Sequence, residues 1–196
     1  MYRFTLNDSQ FLPHLGCEVE FVIKRGELIC MVGENGLGKT SLLQRFFYEN
    51  NLLVSMIQQK SLEFFYDRQL FKIKEILYES SSQQISRDKF DDYWKIFKLD
   101  QKENRYLSSL SGGEAQALKL CLGLSISRDI YFLDEPSQFL DETSKSKLSE
   151  IIQTLILELK SVFIIEHDFN WIKLPMTVCQ LEIKNNILIR GRTWIT

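Results

Sequence analysis

At 196 residues the chain suits one domain and is long enough to bury roughly two-thirds of its unfolded surface, so smallness is no obstacle to a stable core. Lys and Arg number 24 against 26 Asp and Glu, a formal charge of −2 that gives no basic footprint for nucleic acid. No apolar run approaches the ~20 residues that span a bilayer, and the start, MYRFTLNDSQ, lacks the layout of a signal peptide, so the expectation is a soluble cytoplasmic protein.

Near the N-terminus YRFTL and CEVEFVI alternate apolar and polar residues, as half-buried antiparallel strands do. ELICMV (27–32) is instead a near-continuous apolar run ending at Gly33, the pattern of a strand buried on both faces. The residues that follow, Gly33, Glu34, Asn35, Gly36, Leu37, Gly38, Lys39 and Thr40, fit G-x-x-x-x-G-K-[ST] and lead into a helix expected to start near Lys39. The residue types suit a phosphate cradle. Glycines let backbone N–H groups turn inward on phosphate oxygens, and the helix N-terminus adds positive potential. Lys39 reaches the β- and γ-phosphates, and the Thr40 hydroxyl is placed to ligate Mg2+. With Ser41 behind Thr40, residues 33–41 form the candidate nucleotide loop.

Further on, SLEFFYDRQLFKIKEILYE is rich in Phe, Tyr and Leu, and ESSSQQISRDK (79–89) reads as a polar, weakly structured connection. A second glycine pair, Gly112 and Gly113, stands at the mouth of a helix in LSSLSGGEAQ. IYFL (130–133) repeats the buried-strand pattern and runs into Asp134 and Glu135. A carboxylate at a strand tip beside a phosphate loop holds the Mg2+ shell, while its neighbour faces the space beyond the γ-phosphate. Asp134 thereby takes the metal role and Glu135 that of base or orienter for the attacking water. In DETSKSKLSEIIQTLILELK, Leu148, Ile151, Ile152, Leu155, Ile156 and Leu159 share one helix face directed at a sheet. SVFII (161–165) is a third buried run, and three such runs imply a parallel core sheet with the chemistry at its C-terminal edge. In VCQLEIKNNILIRGR the pair Asn185-Asn186 separates two alternating runs, which reads as a hairpin. Cys17, Cys30, Cys121 and Cys179 show no CxxC spacing and read as buried thiols of a reducing compartment.

Leu110-Ser111-Gly112-Gly113-Glu114, followed about twenty residues later by the acidic strand, resembles the signature motif of the ATP-binding cassette (ABC) ATPases. The resemblance spans nearly the whole chain. It implies an α/β fold: a P-loop NTPase core of mostly parallel sheet flanked by helices, an N-terminal antiparallel β-subdomain and a helical signature subdomain over about 61–127, all in one nucleotide-binding domain. ATP and Mg2+ are the implied cofactors and Mg-dependent ATP hydrolysis the implied activity. The implied architecture is a pair of cassettes, identical or paralogous, in which Ser111, Gly112 and Gly113 of one copy meet ATP held by Lys39 and its loop in the other. His167 stands where the family places its switch histidine, and Gln58 or Gln59, with Gln59 preferred, stands as the Q-loop glutamine that joins Thr40 and Asp134 at the metal. Ser137 to Asp141 resemble the D-loop. Phe11 is the nearest candidate for the adenine-stacking aromatic, with Tyr2 and Phe4 as rivals. Two features depart from the family: the interval from Lys39 to Gln59 is short, and Ala117 replaces a basic residue usual after the signature.

The aromatic segment after Gln59 resembles the part of transporter cassettes that receives a helix of the membrane subunit. The leading expectation is therefore the ATP-binding subunit of an ABC transporter, held at the inner face of the cell membrane by a separate permease, with no nucleic-acid partner. The alternative, suggested by DEPSQFLD and IIEHDF, is a soluble ABC ATPase acting on ribosomes. Against that alternative stand a length that allows one cassette rather than two and cysteines that do not supply an iron–sulfur segment. A DNA-maintenance ATPase of the coiled-coil type would need a long heptad region, which the sequence lacks.

Overall fold

The structure, a computed structural model, describes residues 2–6, 19–32, 39–41, 44, 54–57, 86–100, 102–180 and 193–194. Strands β1 (Tyr2–Leu6) and β2 (Val19–Ile23) pair antiparallel, with Tyr2 opposite Ile23 and Leu6 opposite Val19. The main sheet contains β3 (Leu28–Val32), β4 (Val54–Ile57), β5 (Ile130–Asp134), β6 (Ser161–Ile165), β7 (Met176–Gln180) and β8 (Thr193–Trp194) in the order β4-β5-β6-β3-β7-β8. Every neighbouring pair is parallel except β7 with β8. The three strands expected from their apolar runs lie side by side at its centre. Strands β4 and β7 extend the parallel set beyond them.

The apolar runs are continuous because both faces of the sheet are covered. On one face Leu28, Cys30, Tyr131, Leu133, Val162 and Ile164 join a core built with the helices α1 (Arg87–Ile96), α2 (Gly112–Ser125) and α3 (Glu142–Leu157). The alternate residues Ile29, Met31, Phe132, Phe163 and Ile165 are as deeply buried on the opposite face, where the Phe132 and Phe163 rings meet edge-on at 5.7 Å. Each of these side chains contributes on the order of 1.5–3 kcal/mol by leaving water.

Helix α3 follows the predicted stripe through Leu148, Ile151, Ile152 and Leu155, and its N-cap Asp141 accepts a bond from Ser144 N at 2.7 Å. Leu159 departs from the stripe: the helix stops at Leu157, and Leu159 takes φ 59° and lies 62% exposed. The supposed polar connection also changes character at its end. Ser86 caps α1, so Arg87 to Lys89 form the first turn of a helix, and Phe90, Tyr93 and Trp94 fill the space beside α2. The hairpin expected around Asn185-Asn186 lies outside the described residues; in the main sheet, β7 and β8 pair antiparallel. Cys30 and Cys121 are buried thiols, and burial pushes the Cys121 thiol well above its ordinary pKa. Among the described residues no helix is long and apolar enough to cross a membrane.

Candidate nucleotide site

Parallel pairing sets the strand ends level. Ile165 lies opposite both Met31 of β3 and Asp134 of β5, so three adjacent strands release their chains at one edge. From β3 the chain reaches the helical residues Lys39, Thr40 and Ser41; from β5 it reaches Glu135; from β6 it reaches Glu166 and His167.

Residues 94 positions apart in sequence meet here, since the Thr40 hydroxyl donates to Asp134 Oδ2 at 2.9 Å. Burial pushes the Asp134 carboxyl above its ordinary pKa, the Thr40 hydrogen bond opposes that, and the nearby Glu135 reinforces it. Lys39 is buried as well, which lowers its amine pKa against the pull of Glu135 and Asp134. A hydroxyl and a buried carboxylate side by side are two hard oxygen donors. They fit Mg2+, which uses one or two protein oxygens and completes its octahedron with phosphates and water.

Glu135 sits at φ 48°, a left-handed conformation that costs a non-glycine residue about 1–3 kcal/mol and that surrounding contacts must enforce. Those contacts are present. Its N–H donates to Ile165 O at 2.9 Å, and the buried Gln116 of α2 donates through Nε2 to Pro136 O at 3.1 Å and Glu135 O at 3.4 Å. The carboxylate is flanked on both sides: His167 Nε2 lies 3.3 Å from Oε1, and Gln138 Nε2 donates to Oε2 at 3.2 Å. Glu166, pushed up in pKa by burial, accepts from Ser137 N at 3.0 Å and His167 N at 3.3 Å, which clips the loop after β5 to the end of β6.

The second glycine pair begins α2. Ser111 is its N-cap and forms a reciprocal capping box with Glu114: Ser111 N donates to Glu114 Oε2 at 2.8 Å and Glu114 N to Ser111 Oγ at 3.3 Å. Ala115 N already bonds Ser111 O, so among the described residues the amides of Gly112 and Gly113 are the donors left at this end. The Ser111 hydroxyl, accepting from the helix, keeps its own proton to donate. Glu114 is held down to about pKa 2, first by Lys102 at 2.7 Å, then by the Ser111 amide, with Arg105 adding to the pull.

The glycines have a reason within the chain itself. A Cβ on Gly113 would stand 2.8 Å from the backbone oxygen of Phe139, and one on Gly112 would stand 3.4 Å from the Phe139 ring. Phe139 takes φ 64° and is 69% exposed. The loop 135–139 therefore rests directly on the mouth of α2.

Of the sequence-derived candidates, the structure brings together Lys39, Thr40, Asp134, Glu135 and His167, and places Ser111, Gly112 and Gly113 against the loop that follows Glu135. Ser41 lies half-buried on the same helical turn as Thr40. Gly33, Glu34, Asn35, Gly36, Leu37, Gly38, Gln58, Gln59 and Phe11 lie outside the described residues, as do the side chains of Tyr2 and Phe4. Sequence reasoning missed Gln116, Glu166, Lys102 and Arg105, and named Gln138 only within the D-loop likeness, without its bond to Glu135. For Gln116 a signal existed, a polar position beside the apolar run Ala117-Leu118 that continues at Leu120 and Cys121; for the others only the folded contacts identify them.

A parallel sheet with a lysine and threonine after one strand and paired carboxylates after another defines a P-loop nucleotide hydrolase. The family profile described as ABC transporter matches residues 17–138, and the chain belongs to this family of ATP-binding cassettes. Translation initiation factor rli1 of Schizosaccharomyces pombe is 33% identical over 148 residues, covering 73% of this chain and 24% of that protein. ABC transporter E family member 3 of Arabidopsis thaliana is 31% identical over 146 residues, covering 68% of this chain and 81% of that protein. Among solved structures, the complex of archaeal ribosomal stalk protein aP1 with archaeal ribosome recycling factor aABCE1 superposes with a TM-score of 0.67 at 25% identity, over 92% of this chain and 36% of that one. The chain spans about a quarter of the length of the translation factors it matches.

These relatives correct three expectations. A permease partner, a place at the inner face of the membrane and a transport function all rested on the likeness of the segment after Gln59 to transporter cassettes. That segment lies outside the described residues, while two of the relatives named above are a translation initiation factor and a ribosome recycling factor. The exclusion of nucleic-acid machinery from net charge falls with them, because whole-chain charge says nothing about a local surface.

Proposed function

We propose that this chain is an ATP-hydrolysing cassette that works on the translation machinery, closing around nucleotide with a second cassette and opening after hydrolysis. The observation that carries the chemistry is the level strand edge where Thr40 bonds Asp134 and His167 stands against Glu135. The names of the relatives support the translation target. In this reading residues 1–196 act as one nucleotide-binding unit, with α1 and α2 in the helical subdomain.

Lys39 and the amides of the 33–41 loop hold the β- and γ-phosphates. Thr40 and Asp134 would hold Mg2+, which would supply charge neutralisation on the phosphate oxygens. The Glu135 carboxylate takes the proton of the attacking water while the water oxygen bonds to the γ-phosphorus, and the bond from the γ-phosphorus to the bridging oxygen breaks, releasing ADP and phosphate. Gln138 and His167 fix the two carboxylate oxygens, so the base is oriented before the water arrives. From the second cassette, the Gly112 and Gly113 amides and the Ser111 hydroxyl receive the γ-phosphate, and its loss releases the pair.

The test is Glu135→Gln. ATP binding should persist while hydrolysis falls by about 10²-fold or more, and the variant with Mg-ATP should elute as a dimer and sediment with ribosomes from a lysate. A monomer under those conditions refutes the two-cassette site. A dimer that never sediments with ribosomes refutes the translation target.

A further inference from the structure

The segment before α2 carries two cations that the reaction above does not use, and both end on one carboxylate. Lys102 Nζ lies 2.7 Å from Glu114 Oε1, and Arg105 Nη1 lies 3.2 Å from the same oxygen and 3.4 Å from Oε2. Arg105 also donates through Nε to Ser109 Oγ at 3.3 Å and through Nη2 to Ser109 O, which ties it to the turn that enters the signature. That turn is a single 3-10 turn, Leu107–Ser109, and Leu110 leads from it into the Ser111 cap.

Glu114 has two opposed effects. Its carboxylate completes the capping box and so sets the geometry of the first turn of α2. It also sets a negative charge one residue from Gly113, where the helix would otherwise offer an anion unpaired amides and positive potential. Two cations against one carboxylate leave one positive charge at that end.

We propose that Lys102 and Arg105 are positioning residues of the shared ATP site. They neutralise Glu114 and brace the turn before α2, so that Ser111, Gly112 and Gly113 present a positive, fixed mouth to the γ-phosphate of ATP held by a second copy. The proposal rests on the reading of Ser111 to Gly113 as half of that site. It gives the Glu114 carboxylate a use, capping, that is compatible with phosphate only while the two cations are present.

The test is a steady-state ATP titration of the full chain with Lys102→Met, Lys102→Arg, Glu114→Gln and the Lys102→Met/Glu114→Gln double variant. Gln at 114 keeps an oxygen for the Ser111 amide and removes the charge. Lys102→Met should raise KM by about fivefold, the scale of one charge at a helix terminus, and lower kcat by less than KM rises, while Lys102→Arg should restore KM. In the Glu114→Gln background the same Lys102→Met change should shift KM by less than about twofold, because without the Glu114 carboxylate nothing holds the Lys102 charge at this helix end. An unchanged KM in Lys102→Met, or an equal rise in both backgrounds, overturns the proposal. Ser111→Arg separates the two readings: if it leaves turnover intact, the shared site itself is wrong; if it abolishes turnover while Lys102→Met behaves as wild type, only the role of the cations is wrong.

Discussion

Replacing Gly113 by Ala asks whether the second glycine pair serves only close approach to a ligand or also the packing of the chain on itself. In an unobstructed helix the change would stabilise by about 0.5–1 kcal/mol, because Ala loses less backbone freedom than Gly. Here the added Cβ lands 2.8 Å from the Phe139 carbonyl oxygen, a backbone atom that no rotamer change moves aside. Forcing the loop 135–139 away from α2 is an overpacking event of about 1–3 kcal/mol. The net expectation is a loss of about 1–2 kcal/mol, a Tm lower by roughly 2–8 °C in a chain of this size. Thermal and urea unfolding of the nucleotide-free protein measure it. Gly112→Ala is the internal control, since its Cβ meets the Phe139 ring at 3.4 Å, a contact that a small ring tilt relieves. Phe139→Ala should therefore help Gly112→Ala and leave Gly113→Ala impaired. If Gly113→Ala unfolds at or above the wild-type temperature, the packing argument is wrong and the glycine answers to ligand alone.

Three further outcomes follow from the site. Lys39→Ala should weaken ATP binding by about 10- to 100-fold, the worth of a charge-assisted hydrogen bond to phosphate, in a titration with a fluorescent ATP analogue; unchanged affinity would remove Lys39 from the site. His167→Ala should lower kcat by about 10²-fold while the ATP dissociation constant moves only a few-fold, and an effect confined to binding would contradict its placement against Glu135. Glu114, held at about 2 against its ordinary 4.5 chiefly by Lys102, contributes stability that is complete above its unfolded pKa and is lost as pH falls through about 2. The urea midpoints of wild type and Glu114→Gln should therefore differ at neutral pH and converge between about pH 4.5 and 2, and a difference constant over that window would refute the assignment.

The legible parts of the site share one property: their signals are local. Gly33 to Thr40 and Asp134-Glu135 are read from a few adjacent residues after an apolar strand, and the stripe of α3 repeats within a single helix. Helix α1 was legible too, through Ser86 and the spacing of Phe90, Tyr93 and Trp94, but the polar run ahead of it drew the reading toward a connection. Contacts such as Gln116 to Pro136 or Glu166 to Ser137 link residues 20 and 29 positions apart whose side chains carry no pattern of their own. The transporter expectation failed for a related reason. It inferred a partner from the likeness of one aromatic segment to transporter cassettes, and a local likeness does not record which surface a partner touches.

By itself the sequence determined the strand core and the residue types at its edge, because burial on two faces demands unbroken apolar runs and phosphate chemistry demands glycine, lysine and carboxylate in short order. Only the tertiary structure decided how those residues are held. It set Glu135 in a left-handed turn between His167 and Gln138, laid the Phe139 loop on Gly112 and Gly113, and drew Lys102 and Arg105 onto Glu114. Such contacts depend on the register of parallel strands and the closeness of a helix to a loop, distances fixed when distant segments pack.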